Sequence, residues 1–202
     1  MGITKEEIVR VAKPLLLSEG VKVTKMSQIA DELGVTEETL RSVYPYKEDL
    51  IKDAMDLFFE EFEQLTYSIN SQNINAIEKW LSIITGITEV MQLANKESCV
   101  IQLKTYYPDI FVSAQVKQWE ILKRTFQANI FQGMKEGLFR IDFDSDLFMR
   151  FYFLGLLDIE QSELLKETPY SYYQLKIRYL DHLIRSIATE RGVEVLEQVL
   201  NL

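Results

Sequence analysis

The chain has 202 residues, 47% of them apolar and 26% charged, with a formal net charge of −9. This is enough apolar material to fill one large domain or a small domain plus a larger one, and the acidity argues against non-specific binding to nucleic acid or to an anionic membrane. One cysteine (Cys99) and one histidine (His182) exclude a disulfide scaffold and cysteine or polyhistidine metal sites, and they suit a reducing cytoplasm.

The start MGITKE does not read as a signal peptide. No apolar run approaches the roughly 18 residues needed to span a bilayer, so a cytoplasmic protein without membrane contact is expected. The charge is uneven. Residues 1–50 hold 7 basic and 9 acidic side chains, and the remainder hold 15 and 22. With 4 prolines, 8 glycines and little period-two alternation, the predicted fold class is all-α.

The first helix is predicted over 5–19, with Ile8, Val11, Ala12, Leu15 and Leu16 on one face. Gly20 is its natural stop, and Pro14 predicts a kink or a 3₁₀ stretch within it. Thr24 is a candidate N-cap for a second helix, whose stripe is Met26, Ile29, Ala30 and Leu33. Gly34 turns the chain. Thr36 is the N-cap candidate of a short third helix reaching Tyr44, which Pro45 ends. A long fourth helix starts near Lys47, and the polar run SINSQNIN (68–75) breaks it. Further helices are predicted over 75–95, 97–107, 110–137, 145–167, 170–190 and 193–201, with GLFRIDFDSD (137–146) as the longest non-helical connector.

The stretches IVRVAKPLLLSEG, VTKMSQIADELGVTEETL and YPYKEDL resemble the N-terminal domain of TetR-family transcriptional regulators, without a gap over residues 5–50. The resemblance implies a helix-turn-helix domain at 1–50 and a helical ligand-binding and dimerisation domain at 51–202. It also implies a homodimer, a double-stranded DNA operator and a small-molecule effector. The family usually carries a small or basic residue where Glu37 and Glu38 stand, and aromatic residues at positions 41 and 43, which here are Arg41 and Val43.

A recognition helix presents its N-terminal residues to base edges in the major groove. The exposed positions predicted here are Thr36, Glu37, Glu38, Arg41 and Ser42, with Leu40 and Tyr44 facing inward. Arg41 can bond guanine O6 and N7, and a glutamate can accept from cytosine N4. Thr24, Lys25, Tyr46 and Lys47 are the expected backbone-contact residues at the neighbouring helix starts. Glu37 and Glu38 also suit the first turn of any helix, where carboxylates favour the macrodipole.

In the C-terminal part, Trp80, Met91, Tyr106, Trp119 and Phe126 are the expected effector-binding residues within an aromatic-rich bundle. Core packing is the competing explanation for each of them. Arg150 and Asp158 flank an apolar run and share a helix face. Phe148, Phe151, Tyr152, Leu156, Tyr179, Leu183 and Ile187 are expected to pair with a second copy. Gly155, in mid-helix, predicts close approach of another helix. No nucleophile motif, phosphate loop or helical carboxylate–histidine pair appears. No catalytic activity, cofactor or metal is therefore expected. Two functions remain open at this point: a ligand-responsive DNA-binding regulator, and a dimeric helical small-molecule binding protein without sequence-specific DNA binding.

Overall fold

A computed structural model describes residues 2–92 and 99–200, without the side chains of 88–92, 100, 157, 158, 160, 161, 163, 166 and 172. Its helices are α1 (Lys5–Glu19), α2 (Met26–Glu32), α3 (Glu37–Val43), α4 (Lys47–Asn70), α5 (Ala76–Gln92), α6 (Cys99–Tyr106), α7 (Pro108–Lys135), α8 (Ser145–Gln161), α9 (Glu163–Lys166), α10 (Tyr172–Ile187) and α11 (Glu190–Leu200). Among the described residues, the other regular pairing is one isolated bridge between Phe139 and Ala188. The fold is all-α, as its composition and periodicity predict.

Three local expectations are corrected. Helix α1 runs as one α-helix through Pro14, with no 3₁₀ stretch there. The helix expected over 145–167 divides at Ser162, which takes an extended backbone and opens the short α9. Pro108 is the first residue of α7, where its fixed φ suits a helix start and its absent N–H costs nothing.

The chain packs as two units. One is Met1–Gln64 with Glu89–Gln118, and the other is Leu65–Thr88 with Trp119–Leu202. In the first unit, Ile8, Ala12 and Leu16 of α1, Ile29 of α2, Leu40 of α3, and Leu50, Ile51 and Ala54 of α4 form one core with Cys99 and Leu103 of α6. Every one of them is nearly or fully buried. Burial pushes the Cys99 thiol up to about 12, which marks it as a packing residue and not a reactive one.

In the second unit the connector between α7 and α8 docks on the α10–α11 junction. Arg140 N–H donates to Ile187 O at 2.8 Å, and Thr189 N–H donates to Leu138 O at 2.9 Å. Asp144 Oδ1 caps α8 by accepting from the N–H groups of Asp146 and Leu147, each at 3.0 Å. Helices α8 and α10 meet at Gly155. The Tyr179 hydroxyl donates to Phe151 O at 2.7 Å, and the phenol fills the space that a Cβ at Gly155 would need. This is the close approach that a mid-helix glycine predicts.

Alanine in place of glycine inside a helix gains about 1 kcal/mol of propensity. Gly155→Ala should nevertheless lower stability in urea unfolding, by roughly 1–3 kcal/mol net, because the methyl overlaps the Tyr179 ring in a packed contact.

Candidate nucleic-acid interface and aromatic core

Helix α2 ends in a Schellman turn. Val35 N–H donates to Ala30 O at 3.0 Å and Gly34 N–H donates to Asp31 O at 3.1 Å. Gly34 takes φ +67°, which side-chain-bearing residues rarely adopt. Thr36 then caps α3, its hydroxyl accepting from Thr39 N–H at 3.1 Å. Leu40 and Tyr44 are buried beneath the short helix. The Tyr44 hydroxyl donates to Asp53 Oδ2 of α4 at 2.7 Å, and the Lys5 ammonium lies 4.9 Å from the centre of its ring. Burial and that carboxylate push the Tyr44 pKa upward.

The outer face of α3 carries Glu38, Arg41 and Ser42 exposed, with Glu37 half-buried. Arg41 folds back along its own helix. Its Nε donates to Glu37 Oε1 at 2.7 Å and its Nη1 to Pro45 O at 3.3 Å. Ser42 Oγ donates to Thr39 O at 2.7 Å. Tyr46 is 72% exposed, and Lys25, in the N-cap position of α2, is exposed and makes no side-chain cap.

Lys47 opens α4 half-buried, its ammonium donating to Val21 O at 2.6 Å. Burial lowers its pKa, and the nearby charge of Lys22 lowers it further. Lys22 therefore lies beside Lys47. Sequence periodicity gave no reason to single it out, because it sits in the turn between α1 and α2. That turn is fixed from several sides. Lys22 N–H donates to Gln102 Oε1 of α6 at 2.9 Å, and the Lys22 ammonium sits 4.6 Å from the centre of the Tyr106 ring. Gly20 takes φ +99°, and the Gln102 amide occupies the space a Cβ would need there.

Of the expected effector-binding residues, Trp80 and Phe126 come together. Trp80 of α5 is fully buried, stacked on Phe126 of α7 at 4.7 Å between ring centres. Edge-to-face contacts from Phe139, Phe148 and Tyr152 complete this cluster. Trp119 is only partly buried, packed on Phe153, with the Arg150 guanidinium 5.7 Å from the centre of its ring. Tyr106 is 49% exposed and belongs to the other packing unit. The side chains of Met91 and Asp158 lie outside the described residues, and Arg150 is paired with Asp146 at 2.8 Å. A separate groove of about 350 Å³ lies between α4 and α7 of the first unit. Met55, Phe59 and Ile110 line it, with Glu48, Asp49 and Asp109, and none of Trp80, Tyr106, Trp119 and Phe126 does.

No protein-family model matches the chain. Over 112 residues it is 25% identical to the HTH-type transcriptional regulator YvaF of Bacillus subtilis, covering 54% of this chain and 58% of that protein. The match thus spans little more than half of the Bacillus protein. Over 157 residues it is 24% identical to the HTH-type transcriptional repressor KstR2 of Mycolicibacterium smegmatis, covering 73% of each. A TetR-family regulator from Cytophaga hutchinsonii superposes with a TM-score of 0.68 at 15% identity, over 92% of this chain and 95% of that one. The chain has the TetR-family fold. A regulator from Saccharomonospora viridis, solved in complex with choline, superposes at 0.67 and 19% identity, over 92% and 98% of the two chains. These proteins are transcriptional regulators, not enzymes.

Within the TetR fold, one expected contact residue is corrected. Thr24 does not cap α2, because Lys25 holds the N-cap position. Its side chain is fully buried, and its hydroxyl donates to Gly20 O at 2.9 Å. It faces the turn. The expected pairing residues also divide. Phe148, Tyr152 and Ile187 are buried within the second unit, whereas Phe151 is exposed on α8 with Leu147 and Leu154. No helix of the described residues is long and apolar enough to cross a membrane.

Thr24→Val keeps the shape and removes the hydroxyl. It should lower stability by about 0.5–1.5 kcal/mol, read by thermal unfolding, because the Gly20 carbonyl is left without that donor in a buried turn.

Proposed function

We propose that the protein is a ligand-responsive, DNA-binding transcriptional repressor that acts as a homodimer. The observation that carries this reading is α3. It buries Leu40 and Tyr44 while Glu38, Arg41 and Ser42 stand on its open face, as a recognition helix in the major groove requires. Lys22, in the turn before α2, lies beside Lys47 at the start of α4, and Lys25 stands at the start of α2; these are positions where a phosphate backbone can pass. The Lys47 ammonium has three donors; one holds Val21 O and two are left for phosphate.

Glu37 and Arg41 act as a pair. The carboxylate orients the guanidinium and offers cytosine N4 an acceptor, so mismatched bases meet an unpaired charge and are rejected. In this reading the acidic residues confer selectivity and reduce general affinity. The exposed apolar stripe Leu147, Phe151 and Leu154 of α8 supports pairing with a second copy across a twofold axis. The paired recognition helices then read half-sites about 34–36 Å apart. A regulator of the same fold holds choline, which supports a small-molecule effector here, bound among the aromatic residues of the second unit.

One observation favours a second reading, a dimeric small-molecule binding protein that does not read DNA: Arg41 is already satisfied by Glu37. Enrichment from a random duplex pool, followed by sequencing, separates the two. The repressor yields a two-half-site motif, and the alternative yields none.

On the enriched site, Arg41→Ala should cost about 1–3 kcal/mol and relax one position per half-site. Lys47→Ala should weaken binding to every sequence and flatten the salt dependence, by about 0.9 in slope for each phosphate that is no longer neutralised. Glu37→Gln should raise affinity for scrambled DNA. Fluorescence anisotropy at several salt concentrations measures all three.

Leu154→Glu and Phe151→Glu should each shift the protein from dimer to monomer in sedimentation velocity at micromolar concentration. Each should reduce operator affinity together with dimerisation. A parent protein that sediments as a monomer removes the dimer from the reading.

A further inference from the structure

The aromatic cluster of the second unit holds three polar groups that no described residue satisfies in hydrogen-bond geometry. Trp80 Nε1, Tyr152 Oη and Asn129 Nδ2 are all buried without a hydrogen-bond partner. The residues themselves are at most 1% exposed. Buried polar atoms in folded proteins are almost always partnered, because water was given up to bury them.

Trp80 and Tyr152 belong to one neighbourhood, and helical spacing brings Asn129 toward it. The Trp80 and Phe126 rings stack at 4.7 Å, and Tyr152 meets both edge-on, at 5.7 Å and 5.1 Å. Asn129 follows Phe126 by three residues on α7, on the same helix face. The Trp80 N–H lies near enough to Tyr152 Oη to favour its ionised form slightly, yet not in hydrogen-bonding geometry.

Each of the three groups has a proton to donate. The indole N–H and the amide NH₂ can only donate. Burial raises the Tyr152 pKa well above its usual value, so this hydroxyl keeps its proton and can donate it, while its oxygen can still accept. All three groups and the rings around them are neutral. A buried anion would meet no compensating cation among them, and that desolvation is costly. A neutral oxygen acceptor with two lone pairs on a flat apolar body fits both the donors and the aromatic walls.

We infer that the effector is a neutral carbonyl compound with an aromatic or similarly flat apolar body, its oxygen bound by Trp80, Asn129 and Tyr152. This rests on the effector-regulated reading above and narrows it to a ligand class.

The test uses the full chain and probes matched in shape: acetophenone against 2-phenylpropene, and 2-acetylnaphthalene against 2-isopropenylnaphthalene. Benzoate and 2-naphthoate serve as anionic controls. Affinity is read by calorimetry and stability by thermal unfolding. The ketone of at least one pair should bind about tenfold or more tightly than its hydrocarbon partner. Tyr152→Phe and Asn129→Leu should each narrow that gap and leave hydrocarbon affinity within about twofold, since only a donor has been removed. Without probe, both variants should unfold at the parent temperature or above it, because an unpartnered buried group has gone.

Equal affinities within each pair would overturn the carbonyl assignment and leave the effector reading standing. Tighter binding of the carboxylates would overturn the neutral class. Lower unfolding temperatures in both variants would mean that ordered water already satisfies these atoms, and that overturns the site. Binding by none of the probes overturns it too, whereas DNA enrichment decides the regulatory reading independently.

Discussion

The turn at residues 20–24 is held by four separate contacts, and the helix-turn-helix depends on it. Gly20 adopts a backbone closed to most residues, and the Gln102 amide packs into the space its missing side chain leaves. The same amide accepts the Lys22 N–H, the Lys47 ammonium takes the Val21 carbonyl, and the Thr24 hydroxyl takes the Gly20 carbonyl. A turn between helices exposes carbonyls and N–H groups that must find partners when buried. Here α4 and α6 supply them. The entry to α2 is therefore defined by residues distant in sequence, and α2 in turn supports α3.

This arrangement gives Lys47 two demands to meet. It is a cation near the expected path of a nucleic-acid backbone, and it also ties α4 to the turn. Its lowered pKa reflects the burial that this tie imposes, with the Lys22 charge adding to it. Helix α3 carries a similar double use. Glu37 suits the positive end of the helix dipole, and it also holds Arg41 in place through the i,i+4 pair. An exposed pair of this kind contributes little to stability. Its consequence is orientation: a guanidinium on a flexible stem has been given one direction.

The second unit is built on different physics. Its centre is a stack of aromatic rings around Trp80, closed by the α7–α8 connector docking on the α10–α11 junction. Apolar burial favours such a centre without specifying it, whereas orphaned polar tips inside it are costly. The rings of Trp80 and Tyr152 serve the fold, and their polar tips are the part that packing alone does not require.

By itself, the sequence determined the helices and most of their limits. Apolar spacing marked α1 to the residue, Thr36 announced the start of α3, Pro45 its end, and Lys47 the start of α4. These features are local: helical periodicity, caps and breakers act within a few residues, so they can be read along the chain. The resemblance over residues 5–50 was legible for the same reason. What only the tertiary structure decided is where side chains with two possible uses went. Thr24 has the right chemistry for a cap and lies buried in a turn. Arg150 pairs with Asp146 one turn back along its own helix. Phe148 and Tyr152 close an internal core, whereas Phe151, beside them in sequence, faces out. Helical spacing gives a residue's angle about its own axis but not what stands opposite, and α6 contributes Gln102 to a turn 80 residues away. Long-range packing sets those choices, because burial and hydrogen bonding depend on neighbours that the local sequence does not contain.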